Sequence, residues 1–381
     1  MRETHHVYLI PGFFGFTNLG RLRYFVHVDR FLRQHFAARG LHAVVHVVRT
    51  HPTASLTVRA VRVFETMART LRARSAVAHL IGHSTGGLDA RLVTAPGVVL
   101  PTNLDRARYA EWVRSVVGVA SPHHGAPLAA FFAGFRGQQV TELLSVSTAY
   151  VLRFGQVPLT AALTLAALLS PSGRANRRPR LVDDVFGRLL ADFSLSRRRA
   201  VHRLLHDVAT DQSLLLQLTP EAIDVFNATV GDRAGVRYGC VVASAQPPGL
   251  RGALAAGLDP VAQANQAVYR ALYQLTTGGG HAKSGPALTA AQRSALRRAF
   301  GAVPSVRASD GIVPTLAQVW GEVIAGARGD HLDVIGHFAE PDTDPPHYDW
   351  LTTGSGFDRA QFDHVWTRIA DFLVPATVSR V

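Results

Sequence analysis

Hydrophobic positions along the first third of the chain switch between two periods. Val7–Ile10, Ala43–Val48 and Val77–Ile81 are short, unbroken apolar or β-branched runs of strand type. Between them the spacing is helical. Over 22–38, Phe25, Val28, Phe31, Leu32 and Phe36 share one side, and Ser55–Arg74 is amphipathic with Ser55 or Thr57 as its N-cap. Strand–helix–strand–helix–strand implies a parallel sheet with helices on both faces. Ser115–Ala120 adds a strand, and then the alternation stops. From 128 to 233 the chain is rich in Ala, Leu and Phe, and its spacing predicts helices over Leu128–Phe135, Glu142–Phe154, Leu159–Leu169, Val182–Ala191 and Arg197–Val208, with Ser172–Arg180 as a Pro/Gly/Arg linker. A short helix runs from Thr219 to Phe226. Val236–Ala243 and Glu322–Ala327 resume the sheet, and Phe362–Leu373 closes the chain as an amphipathic helix. Residues 247–285 are Ala/Gly-rich, and Gly278-Gly279-Gly280 reads as a flexible loop. The fold class is α/β: a mostly parallel central sheet with helices on both faces and an inserted helical cap. The core spans 1–127 and 212–381, and the cap spans 128–211.

The third strand leads into Gly82-His83-Ser84-Thr85-Gly86, followed by the helical composition of Leu88–Val93. A serine at a sharp strand-to-helix turn needs small residues two places before and after, so that strand and helix can approach. Its hydroxyl then stands above the sheet edge, and the next backbone N–H, on Thr85, points at the same space. With 33 glycines in the chain the pentapeptide is a weak signal on its own, and its context carries the reading. Pro11-Gly12-Phe13-Phe14-Gly15 ends the first strand, where a second oxyanion donor belongs. Phe13 is the candidate there, ahead of Phe14. Ser309-Asp310-Gly311 is a turn late in the sheet, the place for an acid partner in the chain order Ser, Asp, His. His331 follows the last strand, as a base should; His337 and His347 compete with it. His123 and His124 read as loop-shaping residues, and the side chain of His83 is expected to point away from the hydroxyl.

Net charge is +13, and Lys283 is the only lysine among 40 Lys and Arg residues. The arginines are spread out, and the dense runs at 177–180 and 197–199 lack interleaved aromatics, which argues against a single-strand nucleic-acid binder. Cys240 is alone, so an intrachain disulfide is excluded. The run Val157–Leu169 is broken by Pro158 and too short to span a bilayer. With no signal-peptide apolar region before the first strand, the expectation is a cytoplasmic protein.

The elbow, the Pro11-Gly12-Phe13-Phe14-Gly15 loop, Ser121-Pro122-His123-His124-Gly125, Ser309-Asp310-Gly311-Ile312-Val313-Pro314 and Asp330-His331-Leu332-Asp333 together resemble the bacterial triacylglycerol lipases and esterases of the α/β-hydrolase superfamily. The resemblance covers 5–127 and about 212–338. It implies the α/β-hydrolase fold, with Ser84 as nucleophile, Asp310 as acid and His331 as base, and with Phe13 and Thr85 supplying the oxyanion-hole N–H groups. It also implies a carboxylic or lipid-like ester, such as an acylglycerol, as substrate; the many large apolar residues of the cap itself are the ground for expecting a lid with transient lipid contact. The chain departs from the family in starting its oxyanion loop Pro-Gly rather than His-Gly. Asp333 matches one ligand of the family's structural calcium, but no second ligand is found before Asp310, so no metal or cofactor is assigned. An acyltransferase, thioesterase or polyester depolymerase would use the same triad, and a silent hydrolase fold would use it only for binding.

Overall fold

In the computed structural model, residues 3–13, 24–71, 76–169, 179–195, 198–199, 201–202, 206, 210–249, 257–278 and 285–375 are described. Strands β1 (Thr4–Ile10), β2 (His42–Val47), β3 (Ala76–His83), β4 (Val113–Val119), β5 (Arg237–Ala243) and β6 (Glu322–Ala327) form one six-stranded sheet in the order β2-β1-β3-β4-β5-β6. Every neighbouring pair is parallel. Helices α1 (Val26–Ala38), α2 (Leu56–Thr70) and α3 (Gly86–Thr94) connect the early strands. Val7, Tyr8, Leu9 and Ile10 are all buried, as an apolar run must be when both faces of its sheet are covered.

The register sets the site. Ile10 lies beside Gly82 and His83 beside Val119. After β2 the chain crosses back and places β3 on the other side of β1, so the order reverses between β1 and β3. Ligands in open α/β sheets bind outside the carboxyl ends of the strands at such a reversal. Pro11 and Ser84 flank it.

Local chemistry accounts for the helices that hold this edge. The Ser55 side chain accepts the Val58 N–H at 3.3 Å, capping α2. From there Leu56, Arg59, Ala60, Val63, Phe64 and Met67 recur at helical spacing on the buried face. Helix α3 is buried on every side.

Helix α4 (Arg106–Ala110) precedes β4, and between β4 and β5 the described residues form α5 (Leu128–Phe132), α6 (Phe135–Phe154), α7 (Leu159–Leu169), α8 (Pro179–Ala191), α9 (Ser213–Gln217) and α10 (Pro220–Thr229). The expected linker over 172–180 ends sooner, because Pro179 and Arg180 already belong to α8; residues 172–178 lie outside the described residues, as does much of the expected helix 197–208. Ala161, Ala162, Leu165, Leu168 and Leu169 of α7 are buried, and α7 packs against α11 (Pro260–Thr277). Helix α11 stands where the sequence reads as an Ala/Gly-rich stretch. Asp259 caps it through the Val261 N–H at 3.0 Å, and Pro260 occupies its first turn. Helix α12 (Ala290–Phe300) was likewise unforeseen; it starts with a capping box of Thr289 and Gln292. Helix α13 (Arg359–Leu373) lies beside β6, with Trp366 fully buried and its Nε1–H donated to Val334 O at 2.8 Å. No described helix is long and apolar enough to cross a membrane.

Candidate active site

Ser84 occupies the left-handed region at φ 54°. A non-glycine residue rarely adopts it, and such strain persists only where the surroundings over-determine it. Here they do. The Ser84 N–H is held by Val119 O at 2.8 Å. A Cβ on Gly82 would lie 2.0 Å from the Gly86 carbonyl carbon, and one on Gly86 would lie 2.2 Å from Ile10 O. Only glycine at both positions lets strand, turn and helix close on one another. A Cβ on Gly12 would sit 2.5 Å from Ser84 Cβ, so the loop after β1 lies directly against the serine.

The late turn and the loop after β6 meet at this edge. His331 Nδ1 donates to Asp310 Oδ2 at 2.8 Å, with both side chains buried. The His331 N–H also bonds Asp310 O at 3.1 Å. Asp310 is itself fixed: its Oδ1 accepts the Ile312 and Val313 N–H groups at 2.9 and 2.7 Å, and its Oδ2 accepts Gln318 Nε2–H at 3.1 Å. Gln318 is a partner that the sequence reading missed. His331 is thereby oriented by a carboxylate, whereas His337 Nε2 bonds Tyr24 O and His347 Nδ1 bonds Gly336 O. His331 contacts the residue before Ser84: the His83 and His331 rings lie 4.7 Å apart, and His83 Nε2 donates to His331 O at 2.8 Å. Among the described residues no hydrogen bond joins Ser84 Oγ directly to His331. Burial and the nearby His331 hold the His83 pKa well below its ordinary value, so this ring is neutral.

Beside Ser84 is a void of about 40 Å³ lined by Phe13, Thr85, Leu128, Phe132, Leu215 and Ile312, among others. Its walls come from the loop after β1, the start of α3, α5, α9 and the Asp310 turn. Phe13 and Phe132 stack nearly parallel, 6.5 Å and 4° apart. Thr85 opens α3, where the unpaired N–H groups of a helix start favour a negative charge. Phe14 lies outside the described residues.

No protein-family model and no curated protein matches the chain. Among solved structures it is similar to lipase 1 from Pelosinus fermentans, with a TM-score of 0.50 and 15% identity over 99% of this chain and 100% of that one. It is also similar to a metagenomic carboxyl esterase, with a TM-score of 0.49 and 16% identity over 97% of this chain and 75% of that one. Staphylococcus hyicus lipase gives a TM-score of 0.46 and 15% identity over 97% of this chain and 95% of that one. The fold is that of the α/β-hydrolases.

Next to His331 in the chain, the carboxylates of Asp330, Asp333 and Asp349 converge, with oxygens within 4.8 Å of one another. Asp333 Oδ2 accepts the Asp330 N–H at 2.8 Å and the Ser355 hydroxyl at 2.9 Å. Asp330 Oδ2 is buried with no partner. Burial drives all three carboxyl groups upward in pKa, Asp333 to about 7, and mutual repulsion adds to the shift of Asp330 and Asp349. The donor set is all oxygen, which suits a hard divalent cation. Of this group the sequence reading singled out only Asp333; Asp330, adjacent to His331, and Asp349, on a later loop, join it in the fold.

Among the described residues, the side chains of His123 and His124 make no hydrogen bond to Ser84, Asp310 or His331. His124 Nε2 bonds Val319 O at 3.1 Å, and His123 is buried with neither ring nitrogen paired.

Proposed function

We propose that this chain is a serine esterase that cleaves carboxylic esters through an acyl-enzyme on Ser84. The observation that carries this reading is the buried 2.8 Å Asp310–His331 hydrogen bond, together with Ser84 held at φ 54° after β3. Ser84 Oγ attacks the ester carbonyl carbon. His331 Nε2 takes its proton and delivers it to the departing alkoxide, closing its contact with Ser84 in the substrate complex. Asp310 holds the tautomer with Nδ1 protonated and offsets the imidazolium charge. Thr85 and Phe13 N–H groups receive the oxyanion; one such donor is worth about 10²–10³ in rate. Water then attacks the acyl carbon, with His331 again as base, and releases the acid.

The apolar void favours an acyl chain over a charged or sugar group, which supports lipid-like esters as substrates. Leu128, Phe132, Leu215 and Leu218 bring the segment after β4 to the acyl group. A divalent cation such as calcium fits Asp330, Asp333 and Asp349; when bound it would neutralise their charge and brace the loop that carries His331.

The test is a panel of p-nitrophenyl esters together with fluorophosphonate labelling. Turnover with label on Ser84, both abolished in S84A, is expected. A folded wild-type protein that neither labels nor turns over any ester would leave a binding role for the fold; transfer to an added alcohol or thiol in preference to water would mark an acyltransferase.

A further inference from the structure

His83 immediately precedes the nucleophile and is fully buried. A buried side chain at that position needs only to fill space, yet both ring nitrogens of His83 are committed. Nε2 lies 2.8 Å from His331 O, and Nδ1 lies 2.5 Å from Tyr24 Oη. A carbonyl only accepts, so Nε2 carries the proton. Nδ1 of the neutral ring is then an acceptor, and the Tyr24 hydroxyl donates to it. Tyr24 Oη in turn accepts the Gly12 N–H, and Gly12 is the residue packed against Ser84. At the far end, His331 is held by its N–H and its Nδ1–H, both on Asp310. Every group in this series has one role left open to it, so the direction of each bond is determined.

We propose that Tyr24 and His83 are positioning residues that tie the loop beside the nucleophile to the main chain of His331 and so set the distance from Ser84 to its base. Neither touches substrate. This rests on the assignment of Ser84, Asp310 and His331 made above. A base displaced by about 1 Å costs on the order of 10² in rate while leaving ground-state binding alone. The relay therefore acts on kcat and leaves KM unchanged.

The test compares wild type, Y24F, H83L and H83Q in the full-length chain, with kcat and KM measured separately on a short p-nitrophenyl ester. H83L should lose about 10²-fold in kcat, and Y24F about 10-fold, each with KM within about twofold. Gln can donate Nε2–H to His331 O and accept through Oε1, so H83Q should recover most of the H83L loss. The double variant Y24F/H83L should be no slower than H83L, because two members of one relay do not add. Equal losses in H83L and H83Q, or losses confined to KM, would overturn the relay. Should H83L fail to fold, Y24F decides: kcat within twofold of wild type overturns it. If wild type neither turns over ester nor labels at Ser84, the triad assignment falls and takes this proposal with it; if wild type is active and the variants match it, only the relay falls.

Discussion

Arg59 and Asp89 form a completely buried ion pair, with Arg59 Nη2 2.7 Å and Nε 3.0 Å from Asp89 Oδ2. Asp89 belongs to α3, the helix that follows Ser84. The same guanidinium donates to Pro11 O and His51 O, each at 2.7 Å. One side chain thus fastens the loop beside Ser84 to the helix behind it. A buried pair contributes little net stability, because desolvating two charges offsets their attraction, but removing one partner strands the other.

R59M should therefore destabilise the protein by about 3–5 kcal/mol, leaving Asp89 buried and unpaired. The double variant R59M/D89L should regain most of that stability in urea unfolding, yet remain slow in ester turnover because Pro11 O has lost its anchor. Recovery of both together would show that Arg59 serves the fold alone.

D310N tests the acid separately from the fold. Its amide can no longer hold the Nδ1-protonated tautomer of His331, and a loss of about 10⁴ in kcat is expected. Stability should change little if Asn keeps the Ile312 and Val313 N–H bonds through Oδ1. Unaltered turnover would remove Asp310 from the reaction.

Much of this site was legible in the sequence, for a definite reason. Ser84, Thr85 and His331 each follow the end of a strand, which shows as the close of an apolar run, while Asp310 shows as an Asp-Gly turn ahead of β6. Strand limits were less clear: β3 continues through Gly82 and His83 because Ile10 and Val119 pair with them, and that contact is tertiary. Tyr24, Arg59, Asp89, Gln318 and Asp349 carry no local signal. Their partners lie far along the chain, and only the closed fold brings Arg59 to Pro11 or Tyr24 to His83. Helix α11 differs, since its signals were present: the Asp259-Pro260 start, then Ala264, Val268 and Leu272 at helical spacing, hidden by the Ala/Gly richness around them.

The void beside Ser84 is small for a long acyl chain. Its end walls, Phe132 and Leu215, are buried. F132A removes a large ring and opens space next to the acyl carbon. We expect the ratio of kcat/KM for octanoyl over acetyl p-nitrophenyl esters to rise about tenfold, in keeping with the 1–3 kcal/mol that pocket methylenes command. An unchanged ratio, measured on folded protein, would place the acyl group elsewhere.

The three convergent aspartates tie the stability of the fold to pH. Asp333 is raised from 3.8 to about 7, and Asp330 and Asp349 are raised well above the same value. Between pH 4 and about 7 the folded metal-free protein then holds more protons here than the unfolded chain does. Stability must fall as pH rises through this window, since its slope follows the protons bound by the unfolded state minus those bound by the folded one. A cation that binds only the folded state opposes this by an amount that grows with its concentration over Kd. In chelator, Tm should drop from pH 5 to pH 8. Added calcium should raise Tm more at pH 8, where Asp333 is ionised, than at pH 5. D330N should shrink both effects. A calcium response of equal size at the two pH values, or one that survives D330N, would show that these carboxylates hold no cation.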